Sequence, residues 1–483
     1  MGFRSKFENA EKALTFNDVL LLPGWTTLEP SEADIKIRVT TNVELNIPLI
    51  ASPMDTVTEA EMAIALAREG SMGVLHRNCS AKEEVDMARK VKRAEAVIIR
   101  DVITVSPDMT VADLLKMMEE HNIKGFPVVE GDGELQGIVT WRDVRLAESS
   151  LKIRDVMTEE VVTGSEDTEI DEAMQILHEH RIEKLPIVDK NNRVQGLITM
   201  KDITLKGTFQ EAVREEDGRL LCAAAISPFD LPRAKALDKY VDVMVLDVSH
   251  FHNKNCFDAA KLVLKEVSAD VIVGNIGTYE AAEDIITQLD GVAGLRVGIG
   301  SGSICSTSVV TRAGAPTLFA TSNVADAVKA YGADIPIIAD GGIRNPGDVA
   351  VAMAVGASAA MMGNVFAGCR ESPGRLVAME GRYYKEYYGM GSAKARQKRF
   401  VQDRYSKPSK SINEGVEGWV PFKGPAKDIL DEFTGGLKAA MGYMGAATIP
   451  QVWEKAKLAL VTENGAKEAA PHDIFRPGPS RTI

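Results

Sequence analysis

Two stretches of this chain are copies of one another. "EHNIKGFPVVEGDGELQGIVTWRDV" begins at Glu120, and "EHRIEKLPIVDKNNRVQGLITMKDI" begins at Glu179. Each reads as a helix end, a short buried strand, a turn, a second strand and a Thr-x-x-Asp. The turns "EGDGE" and "DKNNR" carry hairpin residues. Upstream, "TVADLLKMMEEH" and "EIDEAMQILHEH" space their apolar residues as helices do. Such a repeat predicts two small α+β modules in tandem over residues 95–206, at about 95–150 and 151–206. The flanking segments, 1–94 and 207–483, must then build one domain from two pieces of chain.

Those flanks follow a different rule. Short apolar runs that read as strands recur: "IPLIAS", "SMGVLH", "VDVMVLDV", "ADVIVGNI", "LRVGIG", "PTLFAT", "IPIIADGG" and "SAAMMGN". Helical stretches such as "TEAEMAIALAREG", "TYEAAEDIITQL" and "NPGDVAVAMAVG" alternate with them. Continuous β-branched runs suit parallel strands buried on both faces. About eight units predict an α/β fold, a (β/α)8 TIM barrel interrupted by the repeat. A doubly wound open sheet is the alternative.

Composition narrows the function. A net charge of −13 disfavours a general nucleic-acid binder and leaves room for a local pocket for a small phosphorylated ligand. No apolar run reaches membrane-span length, and "MGFRSKFENAEKALTF" lacks the core of a secretory signal. Cys79, Cys222, Cys256, Cys305 and Cys369 are odd in number and irregularly spaced, which suits reduced thiols in the cytoplasm.

Functional residues of barrels gather where strands end. "VLDVSH" ends on Asp247, Ser249 and His250, and "VIVGNIGT" on Asn275 and Gly277. "VGIGSGSIC" delivers Gly298, Gly300, Gly302, Ser303 and Cys305. "IIADGGI" delivers Asp340 and Gly342, and "MMGNVFAG" delivers Gly363 and Asn364. Glycine turns after the last two strands suit a phosphate cradle. Asp340 beside them could hold ribose hydroxyls or cap the next helix. Cys305 alone sits in a polar glycine loop, which marks it as a candidate nucleophile. The segment 383–424 reads as a long flap, helical at most in its first part. It carries Arg404, Tyr405 and Glu414, candidates for acid–base work on water.

Two resemblances add to this reading. The repeat resembles paired CBS domains, which implies regulatory purine nucleotides held by Thr140, Asp143, Thr199 and Asp202. The same residues could simply cap the following helices. From "LTFNDVLLLPG" to "APHDI", with "ASPMDTVTE", "GIGSGSICST", "IADGGI", "YYGMGS" and "EGVEG" between, the chain resembles the IMP dehydrogenase family. That resemblance implies oxidation of IMP to XMP with NAD, through a thioimidate on Cys305. Arg404, Tyr405, Glu414 and Thr307 would serve its hydrolysis. Ser52, Met54, Ser303, Asp340, Gly342, Gly363, Asn364, Tyr387, Met390, Gly391 and Glu414 would hold IMP. Asp247, Ser249, Asn275 and Gly298 would meet NAD. Carbonyls of Gly300, Gly302 and Cys305 would take a potassium ion, with Glu468 from a neighbouring subunit of a homotetramer.

The chain departs from the family pattern at Asn364, where serine is usual, at Phe251, where glycine is common, and at Gly277. These departures fall on phosphate and cofactor binding. GMP reductase is the nearest rival reading, since it shares the barrel and the cysteine; a nucleotide sensor without catalysis is the other. The pair Arg404-Tyr405 favours the dehydrogenase, and the Asp247 carboxylate is expected to repel a 2′-phosphate and so favour NAD over NADP.

Overall fold

The computed structural model describes residues 4–94, 99, 102–165, 168, 170–200, 209–215, 218–397 and 414–471. The chain forms two compact units, one of residues 1–91, 211–213 and 221–483, the other of residues 92–210 and 214–220.

The larger unit is a closed barrel of eight parallel strands. They are β1 (Leu49–Ala51), β2 (Met72–Leu75), β3 (Ala223–Ile226), β4 (Val243–Asp247), β5 (Asp270–Ile276), β6 (Val292–Val297), β7 (Ile337–Asp340) and β8 (Ala359–Met362). The ring closes where β8 pairs with β1, Met362 opposite Ala51, and the smaller unit is inserted between β2 and β3, which also pair. Helices α1 (Ala60–Arg68), α2 (Ala81–Arg93), α3 (Leu231–Leu237), α4 (Lys254–Glu266), α5 (Tyr279–Gln288), α6 (Thr317–Ala330), α7 (Pro346–Ala354) and α8 (Ala426–Met444) follow the strands in turn.

The apolar runs divide by alternation. Ile50, Met72, Val74, Ala223, Ala225, Val243, Val245, Ile272, Ile338 and Met361 pack together in one cluster. Their neighbours Leu49, Ala51, Ala339, Ala360 and Met362 join Leu66, Val349 and Leu430 from the helices in another. Both faces of each strand are therefore buried, which is why the runs are continuous rather than alternating in sequence. Local caps start the helices: Thr278 accepts from Ala281 N–H and Asn345 from Asp348 N–H. Asn345 is thus the cap of α7, and Asp340 is free of that duty.

The segment read as a flap differs from expectation. Its first part is strand, not helix. β9 (Leu376–Met379), β10 (Arg382–Tyr388) and β11 (Glu417–Pro421) form an antiparallel sheet. "YYKEYY" favours this because tyrosines suit strands and because Lys385 and Tyr387 alternate into the interior.

In the smaller unit the repeat appears as two hairpins, Gly125–Glu130 with Glu134–Thr140 and Lys184–Val188 with Val194–Thr199. Each has its own core, around Phe126 and around Leu185. Thr140 and Asp143 form a capping box, the Thr140 N–H and hydroxyl donating to Asp143 Oδ2 at 2.6 and 2.7 Å. Asp202 lies outside the described residues.

Candidate active site

At the C-terminal ends of the barrel strands lies a cavity of about 620 Å³, within the range of small-ligand sites. Its floor is the loop after β6, folded back by Gly298 and Gly300 at φ +126° and +79°. At Gly298 a β-carbon would stand 2.4 Å from the carbonyl oxygen of Asp340, so no other residue fits there.

Cys305 heads a short line of proton donors and acceptors. Its thiol donates to Thr307 Oγ1 at 3.2 Å, and the Thr307 hydroxyl donates to Glu414 Oε2, also at 3.2 Å. Glu414 is buried and held in place, its N–H donating to Gly391 O and its carbonyl accepting from Ser306 N–H. Residues 305 and 415 face each other across an isolated bridge, so the glutamate reaches the thiol although 109 positions separate Cys305 from Glu414. The other four cysteines are buried. Burial pushes the Cys79, Cys256 and Cys369 thiols up to about 12, 11 and 12, which keeps them protonated and unreactive at neutral pH.

Several predicted substrate residues converge in the same cavity. A β-carbon on Gly363 would stand 2.9 Å from the Tyr387 hydroxyl, 3.0 Å from Met54 Sδ and 3.8 Å from Ser52 Oγ. Burial pushes the Tyr387 phenol up to about 12 against a hydrogen bond with Ser303. It is therefore a neutral donor. Gly341 and Gly342 turn with φ +86° and +77° beside Ser301 of the cysteine loop. Ser303, Asp340, Gly342, Gly363, Asn364, Tyr387, Met390 and Gly391 all line the cavity.

Beneath the cavity runs a buried chain of charges. Arg296, on β6, donates from Nη1 to Asp247 Oδ1 at 2.7 Å and from Nε to Asp340 Oδ2 at 2.9 Å. Arg77 reaches the other side of Asp247, to Oδ2 at 3.4 Å and to its carbonyl at 3.1 Å. Asn275 Nδ2 donates to Asp340 Oδ2 and to Gly298 O, each at 2.8 Å. Burial pulls the Arg296 guanidinium down, but Asp340 and Asp247 outweigh it and hold the group above its ordinary range. Asp340 lines the cavity, with its Oδ2 occupied by Arg296 and Asn275. Asp247 is different: each carboxylate oxygen faces an arginine. The expected charge repulsion of a 2′-phosphate by Asp247 therefore loses its basis, because that charge is compensated on the spot.

Arg296 and Arg77 were not legible as site residues. Arg296 sits inside the apolar run "LRVGIG", and the only signal was the charge itself, which a two-face-buried strand cannot carry unpaired. Ser249 lines the cavity, whereas Glu468 lies exposed on the helix Glu463–Ala469 and does not line it in its own chain. Arg404 and Tyr405 lie outside the described residues. Two departures from the family pattern find structural reasons. Phe251 points inward, fully buried, its ring 5.6 Å from that of Phe257, and leaves the cavity untouched. Gly277 is required locally, since a β-carbon there would stand 2.5 Å from that of Ala315. Among the described residues, no cluster of three or more His, Cys, Asp or Glu could hold a metal ion, and no helix is long and apolar enough to cross a membrane.

Fold and cavity together define a (β/α)8 barrel with a cysteine-bearing site at its strand ends, the architecture of an enzyme. Residues 13–472 match the family model for the IMP dehydrogenase / GMP reductase domain. The chain belongs to this family. It is 53% identical over 470 residues to inosine-5'-monophosphate dehydrogenase of Korarchaeum cryptofilum, covering 97% of this chain and 98% of that one. It is 46% identical over 474 residues to the enzyme of the same name from Thermoplasma acidophilum, covering 98% and 96%. Among solved structures it resembles GMP reductase from Trypanosoma brucei, a cysteine-to-alanine variant in complex with guanosine 5'-monophosphate. That match has TM-score 0.88 and 34% identity, and covers 97% of this chain and all of that one.

Proposed function

We propose that this chain is an IMP dehydrogenase, oxidising IMP with NAD and water to XMP. The observation that carries the mechanism is the line from Cys305 through Thr307 to Glu414, in one cavity with a glycine-rich cradle. The relatives named inosine-5'-monophosphate dehydrogenase, at 40–53% identity over nearly the whole chain, support the substrate.

The substrate phosphate lies against Ser303, Gly342, Gly363, Asn364 and Tyr387, where neutral hydroxyls and backbone N–H groups suit an anion. The ribose donates its hydroxyls to the Asp340 carboxylate, and Ser52, Met54, Met390 and Gly391 enclose the base. The thiol gives up its proton along Thr307 to Glu414, and the sulfur adds to C2 of the purine. NAD, when bound beside Asp247, Ser249, Asn275 and Gly298, supplies the hydride acceptor. The residues on that wall fit it in part: the Asn275 amide nitrogen is taken up by Asp340 and Gly298, which leaves its oxygen to meet a carboxamide. Loss of hydride from C2 leaves a thioimidate on Cys305. Water then attacks C2, the sulfur leaves, and XMP is released. Once the thiol proton has passed from Glu414 to solvent, Glu414 and Thr307 are placed to take the water proton and return it to the departing sulfur, with Arg404 and Tyr405 assigned to the same step by resemblance. Carbonyl oxygens of Gly300, Gly302 and Cys305 are hard donors of the kind potassium accepts. With Glu468 of a neighbouring subunit they would complete a cation site in a homotetramer. Purine nucleotides at Thr140, Asp143, Thr199 and Asp202 would regulate the enzyme, in the cytoplasm.

Mixing the protein with IMP, NAD and potassium and following NADH absorbance tests this reading. Appearance of NADH and XMP in equal amounts is expected. The likeness to solved GMP reductases favours a second reading, reductive deamination of GMP with NADPH. Ammonia release from GMP and NADPH, with no NADH from IMP, would decide for it.

A further inference from the structure

Arg233, in the first turn of α3, lines no part of the cavity, yet its side chain is only 10% exposed. Each of its nitrogens has a partner. Nε donates to Asp230 Oδ2 at 3.1 Å and Nη1 to Glu84 Oε2 at 2.6 Å. Nη1 also donates to the carbonyl of Arg77 at 3.1 Å, and Nη2 to the carbonyl of Cys79 at 3.0 Å. The two carbonyls flank Asn78, so one guanidinium grips the loop after β2 on both sides of a single residue. That loop serves the cavity in two directions. Arg77 holds Asp247, and Asn78 donates to Asp55 Oδ2 at 2.9 Å and to Ala395 O at 3.3 Å. Asp55 Oδ2 also accepts from the Tyr388 hydroxyl of β10 at 2.9 Å.

Glu84, on α2, fixes the orientation of the grip. It is fully buried, and its Oε1 has no hydrogen-bond partner. Burial pushes its carboxyl up to about 8, against the pull of Arg233 and Arg77. An apolar pair would fill this space without that cost. What an apolar pair cannot do is hold two carbonyls at a set distance from one planar fork.

We propose that Arg233 is a positioning residue for the cofactor half of the active site. It fixes the backbone of residues 77–79, so that Arg77 sets the place of Asp247. The proposal rests on the assignment of the cofactor to the Asp247 wall, and its test separates the two. Arg233→Met is expected to raise KM for NAD about 10-fold or more, as small misplacements within a site can, and KM for IMP by less, since the loop's tie to Asp55 and Tyr388 is the more distant one. Arg233→Lys keeps a cation beside Glu84 but loses the fork, and raises KM for NAD by about threefold or more. Leu237→Ala, on the same helix and fully buried, lowers the melting temperature and leaves both KM values in place.

A folded Arg233→Met or Arg233→Lys protein with parental KM for NAD overturns the proposal, and so does an equal rise in both KM values. Asp247→Asn serves as the reference. If it raises KM for NAD while the Arg233 variants do not, the grip fails and the cofactor assignment stands. If Asp247→Asn itself leaves KM for NAD unchanged, the cofactor assignment fails.

Discussion

Arg296→Met leaves two carboxylates, buried Asp247 and half-buried Asp340, without the cation between them. The losses are unequal. Asp247 keeps Arg77, whereas Asp340 keeps only the amide of Asn275. Removing one partner of a buried ion pair costs about 3–5 kcal/mol, chiefly through the charge left unpaired. The variant is therefore expected to lose about that much stability near neutral pH. Urea denaturation at one protein concentration measures it, since midpoint and slope together give the free energy.

A second substitution locates the damage. Asp340→Asn in the Arg296→Met background is expected to recover about 1–3 kcal/mol, and Asp247→Asn less, because only Asp340 is left without a cation. A loss below about 1 kcal/mol, or equal recovery from both second substitutions, would refute the reasoning.

Three other outcomes are expected. Glu414→Gln lowers kcat by about 100-fold or more and also slows NADH formation in the first turnover, in stopped-flow absorbance, because the glutamate takes the thiol proton before hydride leaves C2. Iodoacetamide modifies Cys305 first, and IMP protects it, as peptide mass spectrometry reads; the four buried cysteines react only on unfolding. Gly298→Ala brings a β-carbon 2.4 Å from Asp340 O at a φ of +126°, and so lowers the melting temperature and raises KM for IMP.

The barrel was legible because its strands are buried on both faces and written as unbroken apolar runs, although "PTLFAT", read as a strand, opens α6, and the remaining strand is the alanine-rich β3. The insertion was legible because it is a repeat. Cys305 stood out by contrast with its glycines. What stayed hidden depends on pairing across the ring. Nothing near Arg296 in sequence points to Asp247 or Asp340, 49 and 44 positions away. Nothing near Arg77 and Asn78 in sequence points to their partners, Asp247 of β4, Asp55 and Ala395. The tyrosines of β10 were left open to a helical reading because a strand that joins a small outlying sheet has no following helix to announce it.

The two seams of the ring differ from the other six. β3 to β8 pair in succession, but β2 meets β3 only across the insertion, Val74 with Ala223, and β8 meets β1 across most of the chain, Ala360 with Leu49. Loop closure weakens only slowly with length, about 0.6 kcal/mol per doubling, so the long detour scarcely loosens the finished ring. Its consequence lies in time. During synthesis β1 and β2 emerge early and wait, with apolar edges open, until β8 leaves the ribosome. For this protein the N-terminal strand pair, rather than the inserted unit, is where a stalled or truncated chain is exposed to aggregation.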